Sequence, residues 1–236
     1  MPSNEDRQAF RQEIARQLKQ AQDDPLYFFS KVKTFDEDEP DFTKRVKLFP
    51  IHKKYLQNLV IMGEQERRLA VYKARRMIVT WTFCAMATRE LFLAPGSHTA
   101  FISKKEEDAG KLVGRVKFIY DHLPSYWKLG LPEPNYYRVK KGIIVKIICH
   151  HPHGQPDSIL EAYPEGGEQL VGEGFSLVYW DEVGKIDNDM CEATFAAAVP
   201  AVGRYGRMIL SSTPPRQPQH FWHRLCHNEY ITGETG

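Results

Sequence analysis

The sequence has little of what marks several common protein classes. Its four cysteines, Cys84, Cys149, Cys191 and Cys226, are scattered without C-x-x-C spacing. That argues against a disulfide framework or a zinc ribbon and for a reducing compartment. No apolar run approaches the length a bilayer demands, which leaves membrane insertion out. The opening MPSNEDRQ is polar and acidic and does not read as a secretory signal. Charge of one sign is also missing: 32 Lys and Arg against 30 Asp and Glu leave a net charge of +2. No overall basic field advertises nucleic acid, so any such contact needs a local patch. There is no internal repeat and no low-complexity tract. What is present, 42% hydrophobic and 12% aromatic residues, suffices for one large α/β domain with a small appendage.

The most informative stretch, residues 68–90, reads RLAVYKARRMIVTWTFCAMATRE. Arg68–Tyr72 has the alternation and apolar content of a buried strand. Three cations follow in Lys73-Ala74-Arg75-Arg76, and an apolar helical run starts at Thr80. A strand that turns through cations into a helix N-terminus is anion-binding architecture, because free amides and the helix dipole both point at the loop. The spacing follows a phosphate loop, G-x-x-x-x-G-K-[ST], only in outline. With Thr80 on the terminal hydroxyl position, a ligand for Mg²⁺, the loop lysine falls on Val79 and the two glycines on Lys73 and Ile78. Lys73, Arg75 and Arg76 could supply the charge from the other side of the loop. A β-branched Ile78 does not take positive φ easily, so the loop is expected to turn differently from its glycine-rich counterpart. The plainer reading is a basic surface turn before a core helix.

A second site lies at Phe175–Trp180, a buried strand ending on Asp181-Glu182. In α/β sheets ligands sit beyond the carboxyl ends of strands. Adjacent acids repel, so a cation belongs beside them, and Mg²⁺ on nucleotide phosphates meets that need. Asp181 would hold the metal, and Glu182 would orient and deprotonate an attacking water. A third strand, Arg207–Leu210, ends on Ser211, Ser212 and Thr213, hydroxyls placed to sense a terminal phosphate. Upstream of the loop, Phe49 and His52 in LFPIHK could cover an adenine, or simply enter a helix that runs through Tyr55, Leu59 and Ile61.

The remaining segments read more plainly. Residues 5–22 form a polar helix with a thin stripe at Phe10, Ile14 and Leu18. Leu26–Phe29 is a core aromatic cluster, and the acidic run 36–41 is a solvated loop. His98–Ser103 and Ser158–Ala162 are strands, a helix runs from Lys104 to Leu123, and another spans Asp187–Val199. Lys140-Lys141-Gly142 joins two β-rich segments as a hairpin. Cys149, His150, His151 and His153, and His220, His223, Cys226 and His227, lack the arrangement of a metal site.

Taken in order, DPLYF, FPIHK, KARRMIVTW, ISKKEEDA, PEGGEQL, VYWDE and SSTP resemble the ATPase domain of the large terminase subunit of tailed bacteriophages, over residues 24–215. The resemblance implies an α/β P-loop fold of the additional-strand, catalytic-glutamate type, with a mainly parallel central sheet flanked by helices. It implies residues 1–45 as a helix and lead-in and 46–236 as the ATPase core. It further implies Mg²⁺-ATP hydrolysis that drives double-stranded DNA into a capsid, in a homo-oligomeric ring on the portal. A small terminase subunit would be a partner, and the host cytoplasm at the procapsid the location. The sequence departs from the family at Ile78, where glycine is usual, and at His52, where glutamine is frequent. Some members carry an arginine, ahead of the acid pair, that acts across a subunit boundary; here Val171-Gly172-Glu173-Gly174 occupies that region, and Arg115, Arg138, Arg204 and Arg207 are the candidates. The family's nuclease domain is not expected in these 236 residues. A helicase-like ATPase and a structural ring subunit deficient in nucleotide binding are the alternative readings.

Overall fold

The computed structural model describes residues 3–75, 77–139, 142–215 and 217–227. Helix α1 (Asn4–Asp23) starts on a capping box: the Ser3 hydroxyl accepts the Asp6 N–H, and the Asp6 carboxylate accepts the Ser3 N–H. Asp24 caps α2 (Pro25–Phe29), where proline occupies the first turn. Strands β1 (Lys33–Phe35) and β2 (Val46–Leu48) pair antiparallel, Phe35 opposite Val46, across the expected boundary at 45/46. The acidic run 36–41 is therefore part of the connection within a hairpin. Asp36 and Glu39 both bond Lys47 at 2.8 Å, and those bonds hold the two carboxyls below their usual range.

Next come α3 (Lys54–Gln65), β3 (Arg68–Tyr72), α4 (Val79–Leu93), β4 (His98–Ile102) and α5 (Glu106–His122). Strands β5 (Pro134–Arg138), β6 (Ile144–Cys149), β7 (Ser158–Tyr163) and β8 (Leu177–Asp181) follow, then α6 (Asn188–Val202), β9 (Arg207–Ser212) and α7 (Phe221–Cys226). The expected turn residues Lys140 and Lys141 lie outside the described residues, and β5 and β6 do pair antiparallel.

Among the described residues β3 to β9 form one sheet, in the order β3-β9-β8-β4-β7-β6-β5. The ladders from β3 through β7 are parallel, and β6 and β5 close one edge antiparallel. Both faces of the parallel part are covered, which is why its central strands are apolar without alternation. Phe101, Leu177, Tyr179 and Ile209 face the core shared with α4 and α5. Their neighbours Ala100, Ile102, Val178, Trp180, Met208 and Leu210 face the core shared with α6 and α7. The larger core also takes in Phe28 and Phe29 of α2, so the N-terminal helices are part of the same body. At its centre Phe83 of α4 packs 5.1 Å from Tyr179; truncating such a ring costs about 3–5 kcal/mol. No helix among the described residues is long and apolar enough to cross a membrane.

Candidate functional site

Strand register assembles the site. Tyr72 of β3 lies opposite Ser212 of β9, and Ser211 lies opposite Asp181 of β8. The loop strand and the acid strand are not neighbours, because β9 runs between them. The Lys73 side chain spans the gap. Its backbone N–H bonds the Ser212 carbonyl at 2.9 Å. Its ammonium bonds the Thr80 hydroxyl at 3.0 Å, contacts the Asp181 carboxylate and lies 3.3 Å from Glu182 Oε1. Lys73 and Asp181 are both buried.

Successive strand residues point to opposite faces, so Asp181 and Glu182 should diverge. They converge because Glu182 adopts φ 59° and ψ 36°, which turns the chain at the end of β8. Lys185 holds the other Glu182 oxygen at 2.9 Å. Gly184 makes this turn possible: a Cβ there would meet Ser212 Oγ and the Thr213 carbonyl at 2.9 Å. In its place the Gly184 N–H donates to Ser212 Oγ at 2.9 Å.

Ile78 reverses one expectation. It takes φ 61° and ψ 7°, the left-handed conformation a glycine would supply. For a β-branched residue this costs about 1–2 kcal/mol. Packing of Ile78 against the core offsets part of that, and its carbonyl accepts both the Thr82 N–H at 2.9 Å and the Thr82 hydroxyl at 3.1 Å. The turn leaves α4 without a side-chain cap, so its first amides remain available beside Lys73. Thr80, in the first turn, bonds Asp181 Oδ2 at 3.3 Å.

Behind the carboxylate runs a hydroxyl chain. Ser211 Oγ donates to Asp181 Oδ1 at 2.7 Å. With that hydrogen committed, the Tyr179 hydroxyl, 2.9 Å away, is the donor to Ser211. Complete burial keeps the Tyr179 phenol protonated, well above its ordinary pKa.

Two cavities meet over this cluster. The larger, about 650 Å³, lies between the β1–β2 hairpin, the 73–79 loop and the start of α4. The smaller, about 330 Å³, opens towards α5 and is bordered by Ser103, Lys104, Asp108 and Lys111. Thr80, Arg115, Glu182 and Lys185 line both.

Of the expected site residues, Lys73, Arg75, Thr80, Glu182 and Thr213 line the larger cavity, while Asp181 borders the smaller. Ser211 and Ser212 lie just beneath, fully buried. Arg76 falls outside the described residues. Phe49 is not a cavity wall: its ring is buried 5.0 Å from Phe29 in an edge contact. His52 is exposed and lines neither cavity. The apolar wall comes instead from Phe35, Leu48, Pro50 and Trp81, and Asp36, Glu37 and Asp38 face the same space. The acidic run read as a solvated loop is thus one side of the cavity. No short-range motif marks these residues; only the alternation of KTF and VKL about the acidic turn hinted at a hairpin.

The candidate arginines separate. Arg207 is engaged in ion pairs with Glu64 and Glu90 at the opposite end of its strand. Arg138 lies exposed over Tyr136 on the far edge strand. Arg204 lies exposed over Tyr205 in the turn before β9. Arg115 sits in its own chain's site, over the Trp81 ring at 5.5 Å. The histidine clusters have structural partners: His150 meets Asp157, His151 meets Ser158, and His220 bonds the Ile186 carbonyl. No group of three metal-binding side chains of the His, Cys, Asp and Glu types occurs among the described residues. The cysteine thiols do not read as nucleophiles, since burial pushes Cys84, Cys149 and Cys191 up to about 12.

No protein-family model and no curated protein matches the sequence. Among solved structures, the large terminase of bacteriophage HK97 is similar, with a TM-score of 0.58 at 12% identity over 84% of this chain and 39% of that one. A point mutant of the large terminase ATPase domain of Thermus phage P74-26 gives 0.52 at 19% identity, over 70% of this chain and 66% of that one. This chain therefore spans less than two thirds of either. The fold, a mainly parallel sheet between helical layers with its cationic loop beside an acid pair, is the α/β P-loop fold of phage large terminase ATPase domains.

Proposed function

We propose that the chain is the ATP-hydrolysing part of a DNA-packaging motor. The observation that carries this reading is the convergence of Lys73, Thr80, Asp181 and Glu182 where the two cavities meet, at the carboxyl end of a parallel sheet. That is where such folds bind phosphates, and the larger cavity has room for a nucleotide.

Lys73, Arg75 and Arg76, with the first amides of α4, would hold the phosphates of ATP. Thr80 and Asp181 offer hard oxygen donors 3.3 Å apart, the chemistry that suits Mg²⁺. Bound there, Mg²⁺ would neutralise phosphate charge during transfer. Lys73 now bridges the same hydroxyl and carboxylate, so binding would draw its ammonium towards the phosphates. Glu182 would take the proton of the attacking water, its carboxylate held in place by Lys185. Phe35, Leu48, Pro50 and Trp81 would pack against the base in place of Phe49 and His52. Ser211 would pass any displacement of Asp181 into β9, and Ser212 and Thr213 would carry it along the strand end.

The work so powered would be translocation of double-stranded viral DNA into a capsid. The partners would be further copies of this chain in a ring on the portal, and a small terminase subunit, in the host cytoplasm at the procapsid. Phosphate release by the wild type and by Glu182→Gln tests the core of the proposal. The variant should bind ATP by calorimetry yet release little phosphate; equal release by the two proteins would sink the assignment of the base.

A further inference from the structure

We propose that Arg115 is a catalytic residue that acts in cis, on the terminal phosphate bound by its own chain. The inference rests on the ATPase reading above and adds to it the source of the arginine. The α5 helix presents Asp108, Lys111 and Arg115 at spacings of three and four, so the three share a face, and all three line the smaller cavity. Arg115 alone of the three also lines the larger one.

Charge and position together set Arg115 apart: Arg75 and Lys104 each line a single cavity, and of the two cations that line both, Arg115 and Lys185, only Lys185 is matched by a carboxylate. Lys73 is matched by Asp181 and Glu182, Lys111 by Asp108, and Lys185 by Glu182. Arg115 has no carboxylate partner among the described residues and is only partly exposed. Its guanidinium lies over Trp81, the residue that follows Thr80. The Trp81 ring is itself braced edge-on by Phe118 at 5.5 Å, one turn along α5. A cation stacked on a fixed ring is pre-set in direction, and its N–H groups are left for another acceptor. Where the two cavities join, the remaining lining groups are Thr80, Glu182 and Lys185. The acceptor that fits between a hydroxyl, a water-activating carboxylate and these cations is the terminal phosphoryl group of a nucleoside triphosphate.

In the step so assisted, the water oxygen bonds to the γ-phosphorus as the bond to the β,γ-bridging oxygen breaks. ADP leaves with that electron pair, and the water proton passes to Glu182. Arg115 neither gives nor takes a proton; its fork binds the non-bridging oxygens as charge builds on them.

Calorimetry on protein shown by sedimentation to be single chains separates cis from trans. Arg115→Gln should weaken binding of a non-hydrolysable ATP analogue by about tenfold while ADP affinity stays within about twofold. Its kcat should fall on the order of a thousandfold. A mixture of Arg115→Gln and Glu182→Gln, under conditions where wild type is active, should stay as inactive as its parts. Recovery in the mixture, or wild-type affinity and rate in Arg115→Gln, overturns the proposal. If that variant fails to fold, Arg115→Lys keeps charge and stem but loses the fork, and a wild-type rate there overturns it equally. An active wild type with an inactive Glu182→Gln upholds the ATPase reading whatever Arg115 does; a wild type with no turnover in any state overturns both.

Discussion

Two ionic clusters are built into the same sheet, and they differ in what surrounds them. At the amino end of β9, Arg207 pairs with Glu64 at 3.1 Å and with Glu90, and donates to the Gly63 carbonyl at 2.7 Å. Arg89 pairs with the same Glu64 at 3.0 Å and donates to the carbonyls of Ala21 and Gln22. Two acids meet two arginines, carbonyls take further N–H groups, and neither cavity touches Arg89, Arg207, Glu64 or Glu90. At the carboxyl ends of β3 and β8, Lys73 serves two acids at once, and the cluster borders both cavities. Buried charge alone does not mark a working site. Charge beside open space and unspent donors does.

The sharpest contrast is catalytic. Glu182→Gln should lower kcat by about 10²–10⁴, whereas Glu64→Gln should leave it within about threefold in the fraction that folds, measured by phosphate release. Comparable losses from both would erase the distinction. Stability comes next. Arg207→Met strands the buried Glu90 carboxylate and should cost about 3–5 kcal/mol in urea denaturation, with ATP affinity unchanged. Lys73→Met should cost a similar amount but also weaken ATP binding by about tenfold or more; unaltered binding would assign Lys73 to the structural class.

Smaller effects refine the picture. Ile78→Gly removes a partly buried side chain but relieves a left-handed backbone. The two should nearly cancel, leaving stability within about 1 kcal/mol of wild type; a loss several times larger would show that the loop carries no strain. The smallest effect is expected near the Arg207 cluster. Burial holds the His98 imidazole below its ordinary 6.5, and its Nε2 is buried without a partner. Its folded pKa is depressed, so the neutral ring's contribution is complete above about 6.5 and fades as pH falls towards the folded value. Melting temperature should drop between about pH 7.5 and about pH 5.5, and less so in His98→Gln.

The legible parts of the chain are those where local pattern and tertiary role agree. Arg68–Tyr72 is a strand to the residue, but an edge strand with only Leu69 buried instead of the buried strand its pattern suggests. The acid pair after an apolar run does lie at a strand tip, because a fully buried strand leaves its first carboxylates no other place. Elsewhere the role depends on partners distant in sequence. Phe49 and Leu48 are both apolar, and only the pairing of β1 with β2 decides that Leu48 faces the cavity while Phe49 enters the core. Arg115 and Arg207 are the same residue type, and only packing leaves one opposite two glutamates and the other over an indole. At Ile78 local propensity yields to a tertiary requirement for a tight turn.

The bridge made by Lys73 has a consequence for the life of the chain between ligands. A pocket shaped to receive several negative charges would, if lined by cations alone, repel itself when empty. Here Lys73 already has its counterion, since it is fastened by its main chain to β9 and by its ammonium to the Asp181 carboxylate at the end of β8. For Lys73, arrival of an anion becomes an exchange of partners instead of a fresh burial of charge.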